Sequence, residues 1–298
     1  MKIIGITMVT DPEYRQDPWK ECIGQMLEIC DEAVVVCGDT GTYDLADQMK
    51  ARFDKPLHFE YLDWPQPEWT YDELARHLNA GLVKARELNA DWVIKFDADY
   101  FIHEQDAGVV KAKLRELKAK KKAIGAFEKL QFFQVSRAYE KGNILTALNM
   151  EYPIWYGKDK AKYTDLCQPI LWDGKSWMRY PGAAHEIPEG VAVPENLHQR
   201  MGVHVWNYDY SFKTLERATE LLYRFDRSHA KFWGHGYHGK ALKDITPESA
   251  LRDYITLVTG RLKKCNKTFE WQQHPRHIRE RVRDIDHDKF GYLLWNKI

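Results

Sequence analysis

The chain has 298 residues, of which 44% are hydrophobic and 13% aromatic. This content can bury a full core, as one large domain or one domain with an appendage, and it excludes a disordered protein. Lys and Arg together number 44, as do Asp and Glu, so the zero formal charge excludes a global attraction to nucleic acid and leaves room only for local patches.

The first half of the chain alternates apolar runs with helical segments. Residues 2–9 are almost unbroken in their apolarity and precede Thr10-Asp11-Pro12, which predicts a buried strand and a loop. Helices are predicted at 19–30, 43–53 and 71–88, and strands at 33–37 and 57–62. A β-α-β-α order of this kind predicts an α/β fold with a mainly parallel sheet and right-handed crossovers.

The predicted helix over 71–88 has two distinct faces. Leu74, Leu78 and Leu82 share one face at helical spacing, while Arg76 and Asn79 lie together on an adjacent one. The apolar face is expected to pack on the sheet.

The fourth predicted strand ends in two carboxylates. Its apolar run, from Trp92 to Phe96, is followed by Asp97-Ala98-Asp99. A buried strand delivers both acids to its carboxyl end, where open α/β sheets bind ligands. Hard oxygen ligands suit Mg²⁺ or Mn²⁺, whose remaining ligands often come from phosphates, so this pattern favours a metal-dependent enzyme acting on a nucleoside diphosphate. The alternative is structural, since aspartates at strand ends also cap helices and form turns.

The rest of the chain is less regular. A helix is predicted over 105–122 with a lysine-rich end, a strand over 127–135, and a helix over 211–225. Residues 141–194 are rich in aromatics, Gly and Pro, which is typical of variable acceptor loops. We predict a main domain over residues 1–230, with halves over 1–104 and 105–230, and a C-terminal helical extension over 231–298.

Cysteine usage and the absence of long apolar runs bear on location. The five cysteines contain no CxxC pair, which argues against a disulfide framework or a zinc site. The first residues lack the apolar stretch of a signal peptide, so a soluble cytoplasmic protein without a membrane span is expected.

In the order of these elements the chain resembles the GT-A nucleotide-diphospho-sugar transferases, specifically the family 2 type, over roughly its first three quarters. The turn after the second strand, residues 38–44, is similar to the family's base- and ribose-binding turn, which makes Asp39 a candidate contact. Thr10 takes the place of the family's loop after strand one. The resemblance also implies that Arg76 and Asn79 point toward the donor and that Asp97 contacts the bound nucleotide. By the same likeness residues 1–104 would form the nucleotide-sugar-binding half of the main domain and residues 105–230 its acceptor and catalytic half.

Two later segments also resemble family elements. Ala184-His185-Glu186 is similar to a His-Glu element, and residues 203–208 are similar to a later His-x-Gly-Tyr-like element. By that likeness His204 would join Asp97 and Asp99 as a metal ligand. The alternative for His204 is an ordinary core or surface histidine.

Inverting sugar transfer requires a general base for the acceptor hydroxyl. Glu186 is the predicted base and Asp173 the alternative, although Glu186 could equally be an exposed loop acid and Asp173 part of an Asp-Gly turn. Trp172, Trp177 and Tyr180 are predicted to wall the sugar subsite or simply to pack.

The resemblance implies a metal-dependent inverting glycosyltransferase that uses Mn²⁺ or Mg²⁺ and a nucleotide sugar, with a UDP-sugar favoured. Its acceptor hydroxyl would lie on a glycan, a lipopolysaccharide core or modified DNA. Two alternatives remain open: a nucleotidyltransferase on the same scaffold, and a non-catalytic carbohydrate- or nucleic-acid-binding protein.

Overall fold

The structure is a computed structural model that describes residues 1–64, 70–157, 168–172, 177–178, 187–188, 190–236 and 238–290. Within these ranges the strands are β1 (Ile3–Val9), β2 (Glu32–Cys37), β3 (Leu57–Tyr61), β4 (Trp92–Phe96), β5 (Tyr100–Ile102), β6 (Ile124–Gln134), β7 (Arg137–Asn149), β8 (Ile154–Gly157), β9 (Gln168–Leu171), β10 (Trp177–Met178), β11 (Ile187–Pro188), β12 (Val191–Ala192), β13 (His198–Asn207) and β14 (Lys267–Thr268).

Helices flank these strands. They are α1 (Pro12–Arg15), α2 (Trp19–Ile29), α3 (Thr40–Met49), α4 (Tyr71–Glu87), α5 (Ala107–Ala119), α6 (Leu215–Trp233), α7 (Pro247–Leu262) and α8 (Arg279–Arg283). Threonine side chains begin three of them: the hydroxyls of Thr70, Thr214 and Thr246 accept hydrogen bonds from backbone N–H groups in the first turns of α4, α6 and α7.

One large sheet organises the chain, with the strand order β3-β2-β1-β4-β7-β6-β13-β5 and with β14 added to β7. Strands β1 to β4 are parallel to one another, and β6 and β13 run in the same direction as they do. Only β7 and β5 run in the opposite direction among the described strands of this sheet, because they pair antiparallel to their neighbours, and β14 pairs antiparallel to β7. The mostly parallel sheet confirms the predicted α/β class and has the Rossmann-like architecture of the GT-A type.

The sheet is curled. Strand β5 lies four places from β4 in the sheet order, which in a flat sheet would separate them by about 19 Å. Only Asp97, Ala98 and Asp99 connect Phe96 to Tyr100, and four Cα steps span at most about 14 Å. The chain closes this turn tightly, since the Tyr100 N–H donates to the Asp97 carbonyl at 2.9 Å. The curl therefore brings the end of β13 beside the Asp97–Asp99 turn.

The core has a layer on each face of the sheet. Helix α4 buries Leu78, Leu82 and Ala85 against one face, as the leucine spacing predicts for Leu78 and Leu82. Helices α2 and α5 cover the other face, with Ile23 and Leu114 in its core. Successive side chains along β1 to β4 point to opposite faces of the sheet, so these strands contribute residues to both layers of the core.

The C-terminal region packs on the same sheet. Strand β14 pairs with β7, and Ile278 and Val282 belong to the main core. Residue 230, where the main domain was predicted to end, lies inside α6. The division into domains stays a prediction.

No helix in the described ranges is long and apolar enough to cross a membrane.

Candidate functional site

The Asp97–Asp99 turn lies at the carboxyl edge of the sheet, as predicted. It follows β4 directly, and the Asp99 carbonyl accepts from the Tyr208 N–H at 3.0 Å, just past the end of β13. Strands β1, β4, β6 and β13 all end at this edge because they run in one direction. Side chains that follow them therefore meet here.

Asp99 is a buried carboxyl group among other acids. It is 7% exposed. Burial and repulsion from Asp209 raise its pKa to about 8, with further repulsion from Asp17 and Asp97 and an opposing attraction from Lys213. At neutral pH the Asp99 carboxyl group is therefore largely protonated, and a bound cation would favour its charged form.

Asp97 is held differently. Its carboxylate lies 2.5 Å from the Lys95 ammonium, and 43% of its side chain is exposed. Desolvation raises its pKa, but attraction and a hydrogen bond from Lys95 outweigh this and leave the pKa below its usual range. The two aspartates of the turn thus differ: Asp97 is ionised and partly exposed, whereas Asp99 is buried.

A second ion pair lies beside the turn. Lys213 Nζ is 2.7 Å from Asp17 Oδ1 and 3.5 Å from Asp209 Oδ1, while Arg15 Nε is 2.9 Å from Asp17 Oδ2. Burial raises the pKa of Asp17, but attraction to Lys213 and Arg15 is stronger and holds the pKa low. These contacts fix the loop after β1 against the residues that precede α6.

A thiol supports the turn from behind. Cys22 Sγ on α2 lies 3.4 Å from the Asp97 carbonyl oxygen and 3.6 Å from that of Tyr100, within range of weak S–H donation. Cys22 is fully buried, and burial raises the pKa of its thiol well above the usual value. The thiol is therefore a structural support and not a nucleophile.

Thr10 lies where β1 and β2 end. Its side chain is buried, and its hydroxyl has no hydrogen-bond partner within the described residues. A Cβ placed on Gly38 would stand 2.4 Å from the Thr10 hydroxyl oxygen, so only glycine fits there. The predicted donor contact of Thr10 stays a prediction.

Asp39 organises the neighbouring loop. Its carboxylate accepts from the Asp11 N–H at 2.8 Å and from both the N–H and the hydroxyl of Thr42 at 2.6 Å. It therefore caps α3 and holds the loop after β1, where Asp11 has a positive φ of 43°. A base or ribose contact by Asp39 stays a prediction.

Arg76 and Asn79 are occupied by internal contacts. Arg76 donates to Glu73 Oε2 and to the Asp63 carbonyl, both at 2.7 Å. Asn79 is fully buried; its amide donates to the Tyr156 carbonyl at 2.9 Å and accepts from the Tyr156 N–H at 2.7 Å. Asn79 thus connects β8 to α4. Donor contacts by Arg76 and Asn79 stay predictions.

His204 departs from the predicted arrangement, because the structure does not bring it to the aspartates. Its Nε2 faces Glu140 at 3.5 Å and Glu128 at 3.7 Å. His204 pairs with Glu128 across β13 and β6, and the adjacent Lys129 points to the opposite face, where its Nζ donates to the Tyr100 hydroxyl at 2.9 Å. Since side chains alternate along a strand, His204 lies on the face away from Asp97 and Asp99, about 13 Å along β13 from their level.

The donor set at the turn fits a hard divalent cation in part. Asp97 and Asp99 offer carboxylate oxygens, the ligands that Mg²⁺ and Mn²⁺ prefer, and mutual repulsion at Asp99 is the kind of strain a cation relieves. In the part of the chain that the structure describes, no three His, Cys, Asp or Glu side chains form a group able to hold a metal. Two protein ligands would thus leave the remaining positions to phosphate oxygens and water.

The predicted bases lie outside the described residues. Asp173, Tyr180 and Glu186 are all in undescribed segments, and for Trp177 only the backbone, in β10, is described. Trp172 is described, and its ring meets that of Trp155 edge-on at 6.0 Å.

Several charged residues at this edge of the sheet were not predicted from the sequence. Asp17, Lys95, Lys129, Asp209 and Lys213 surround the turn, and none of them was predicted. Asp209 could have been found, because it follows the end of β13 as Asp97 follows the end of β4. Asp17 and Lys213 carry no comparable sequence signal, since they meet only through the fold.

Comparison with known proteins gives distant structural likenesses only. No protein-family model matches the chain. No curated protein matches it either. Among solved structures, it is similar to S. aureus TarS 1-349 at a TM-score of 0.31 and 17% identity, over 45% of this chain and 36% of that one. It is also similar to core-mannan synthase A from Aspergillus fumigatus in an Mn/GDP form, at a TM-score of 0.31 and 13% identity over 45% and 43% of the two chains.

A third likeness is to 4-diphosphocytidyl-2C-methyl-D-erythritol synthase from Anaerococcus prevotii, with a TM-score of 0.35 and 12% identity over 50% of this chain and 70% of that one. The chain thus covers about a third of the TarS fragment and two fifths of the mannan synthase. These neighbours comprise glycosyltransferases and a nucleotidyltransferase, and likenesses this low assign no function to the chain.

Proposed function

We propose that this chain is a glycosyltransferase that moves a sugar from a nucleoside diphosphate donor, favoured to be a UDP-sugar, to an acceptor hydroxyl. One observation carries the proposal: Asp97 and Asp99 lie at the carboxyl end of β4, where the parallel strands end and the sheet curls. Ligands of open α/β sheets bind at this edge, and paired carboxylates there suit a cation-bound diphosphate.

The residues of the turn have separate roles in this proposal. Asp97 and Asp99 would hold Mn²⁺ or Mg²⁺, and the ion would supply charge neutralisation for the leaving diphosphate. Lys95 orients the Asp97 carboxylate, and Cys22 supports the backbone of the turn. Thr10 and Asp39 border the space next to the turn and are the proposed donor contacts on the side of β1 and β2.

Transfer with inversion requires a base that takes the proton of the acceptor hydroxyl while its oxygen attacks the anomeric carbon. Glu186 is the proposed base and Asp173 the alternative. Glu186→Gln should lower kcat while leaving donor affinity unchanged, because only proton transfer in the transition state is lost. The same result for Asp173→Asn, with Glu186→Gln fully active, would reverse the assignment.

The proposal is tested by incubating the protein with a panel of nucleotide sugars and Mn²⁺ or Mg²⁺. A transferase releases nucleoside diphosphate by slow hydrolysis, and Asp99→Asn should reduce this rate about 100-fold, a loss of roughly 3 kcal/mol. Lys20→Met, in an exposed ion pair with Glu13, is the matched control that should leave the rate unchanged. Pyrophosphate exchange would instead indicate a nucleotidyltransferase, and neither reaction would indicate a binding protein.

A further inference from the structure

The hairpin of β6 and β7 extends past the end of β4. Ile94 of β4 pairs with Ala147 of β7, so the first residues of β7 run beyond the carboxyl end of β4. In this extension Glu128 pairs with Asn143 and Leu130 with Glu140, and the register shifts between these pairs, so Lys129 lies opposite a bulge formed by Lys141 and Gly142. The hairpin therefore carries two lysines out beside the Asp97–Asp99 turn.

Both lysines lie on the face that bears the aspartates. Glu128 and Glu140 approach His204 on one face of the sheet, and alternation puts their neighbours Lys129 and Lys141 on the other. The ammonium of Lys129 lies 4.9 Å from the Tyr100 ring centroid in addition to its bond with the Tyr100 hydroxyl. Tyr100 directly follows Asp99, so Lys129 reaches the edge of the candidate site.

The two lysines differ in their surroundings: Asp97, Asp99 and Asp209 attract Lys129, whereas Lys141 has no close acid among the described residues. Within the described residues neither Lys129 nor Lys141 forms an ion pair, and Asp209 is the one acid that acts on Lys141. Lys141 is exposed. Desolvation, with repulsion from Lys129 and Arg261, lowers the pKa of Lys141 to about 8. Arg261 is itself fixed by its hydrogen bond to the Tyr210 hydroxyl at 3.0 Å.

We propose that Lys129 and Lys141 bind a phosphoryl group of the acceptor, so that the acceptor substrate is a phosphorylated compound. This inference rests on the proposed function and names its acceptor class. Two compact ammonium groups on one face, with a fixed guanidinium nearby, match a small multivalent anion. In the strand order the hairpin lies on the other side of β4 from β1, β2 and β3, so its lysines and the proposed donor contacts Thr10 and Asp39 flank the turn from opposite sides.

The test uses inorganic phosphate as the probe and the full chain. Lysine amines are reductively methylated with ¹³C-formaldehyde, which keeps their charge, and signals are assigned with Lys129→Arg, Lys141→Arg and Lys267→Arg. Lys267 is the internal control, because it pairs with Glu140 at 2.5 Å on the opposite face. Phosphate is titrated at pH 7 with and without saturating UDP and Mg²⁺.

We expect saturable shifts of the Lys129 and Lys141 signals, unchanged by UDP, with no shift at Lys267. Lys141→Gln should weaken phosphate binding at least about fivefold, while UDP affinity measured by calorimetry stays the same. Absence of shifts at both lysines, or an equal shift at Lys267, would overturn the proposal. Loss of the shifts on adding UDP would assign the pair to the donor diphosphate and overturn the acceptor assignment. If phosphate binds but UDP does not, the donor function fails and the anion site stands.

Discussion

Lys213 Nζ lies 2.7 Å from Asp17 Oδ1, and the two residues are only 5% and 8% exposed. The pair joins the loop after β1 to the chain that follows β13, so it links two segments 196 positions apart at the edge of the candidate site. Burial lowers the pKa of Lys213, but attraction to Asp17, Asp209 and Asp99 outweighs this effect and raises the pKa above its usual value. The Lys213 side chain is therefore charged at neutral pH. Lys213 therefore holds together a site that would otherwise be dominated by acids.

Replacing Lys213 by methionine should destabilise the protein strongly. The substitution leaves Asp17 buried beside Asp99 with only Arg15 as a partner, and removing one member of a buried pair costs about 3 kcal/mol. Urea unfolding at pH 7 measures this. Lys20→Met removes an exposed ion pair with Glu13 and should change the unfolding free energy by less than about 0.5 kcal/mol. Equal effects of the two substitutions would show that the Lys213 pair is not stabilising.

Replacing Asp99 by asparagine should stabilise the metal-free protein at alkaline pH. Because the pKa of Asp99 is raised to about 8, the folded state keeps a proton that the unfolded chain releases near pH 4. The contribution of Asp99 to the unfolding free energy of the wild type is therefore largest below about pH 4 and declines as the pH rises toward 8. In EDTA at pH 8, Asp99→Asn should be more stable than wild type by at least about 1 kcal/mol, with little difference at pH 4. A variant less stable than wild type at pH 8 would refute the raised pKa.

Replacing Asn79 by alanine should lower the free energy of unfolding. The substitution removes two buried hydrogen bonds with the backbone of Tyr156, a loss of about 2 to 3 kcal/mol. Chemical denaturation gives the free energy, and exposed Asn196→Ala serves as the control. Under conditions where the variant is folded, UDP affinity should equal that of wild type. A large loss of UDP affinity in the folded variant would restore Asn79 as a donor contact.

His274 should make folding stability fall in mild acid. Its Nδ1 lies 2.6 Å from the Tyr208 hydroxyl, and burial, with repulsion from Arg279 and His103, lowers its pKa to about 4. A depressed pKa means that the unfolded state binds the proton first, so stability is complete above about pH 6.5 and falls as the pH drops toward 4. The fall should amount to about 2 to 3 kcal/mol. His274→Gln should reduce the dependence of the unfolding free energy on pH between pH 4 and 6.5. Substitution of the exposed His287 by glutamine should leave this dependence unchanged.

The local pattern of the sequence was sufficient for the first half of the fold. Apolar runs and turn residues predicted β1, β2, β3 and β4 to within a residue or two, and helical spacing predicted α2 and α4. Strands β7 and β13 were not predicted, because β7 carries charged residues on an overhanging hairpin and β13 begins with three polar residues, 198–200. The pairing of these strands is set by tertiary contacts with distant parts of the chain, which local periodicity does not record.

The candidate site, like the fold, was predicted where local sequence determines the structure and not where tertiary contacts do. Asp97 and Asp99 were predicted at a strand end, and the structure places them there. The position of His204 could not be predicted from its neighbours, since a shift of one residue along β13 decides which face of the sheet it joins. Asp17 and Lys213 meet only because the sheet curls, and no spacing in the sequence indicates that curl.

Calorimetric titration of UDP into the protein, with Mn²⁺ and with EDTA, tests the role of the Asp97–Asp99 turn most directly. We expect UDP binding that requires Mn²⁺ in wild type, that weakens at least about tenfold in Asp97→Asn and Asp99→Asn, and that is unchanged in His204→Gln. UDP binding of equal affinity in EDTA and in both aspartate variants would contradict a cation held by this turn, and loss of binding in His204→Gln alone would move the metal to the other face of the sheet.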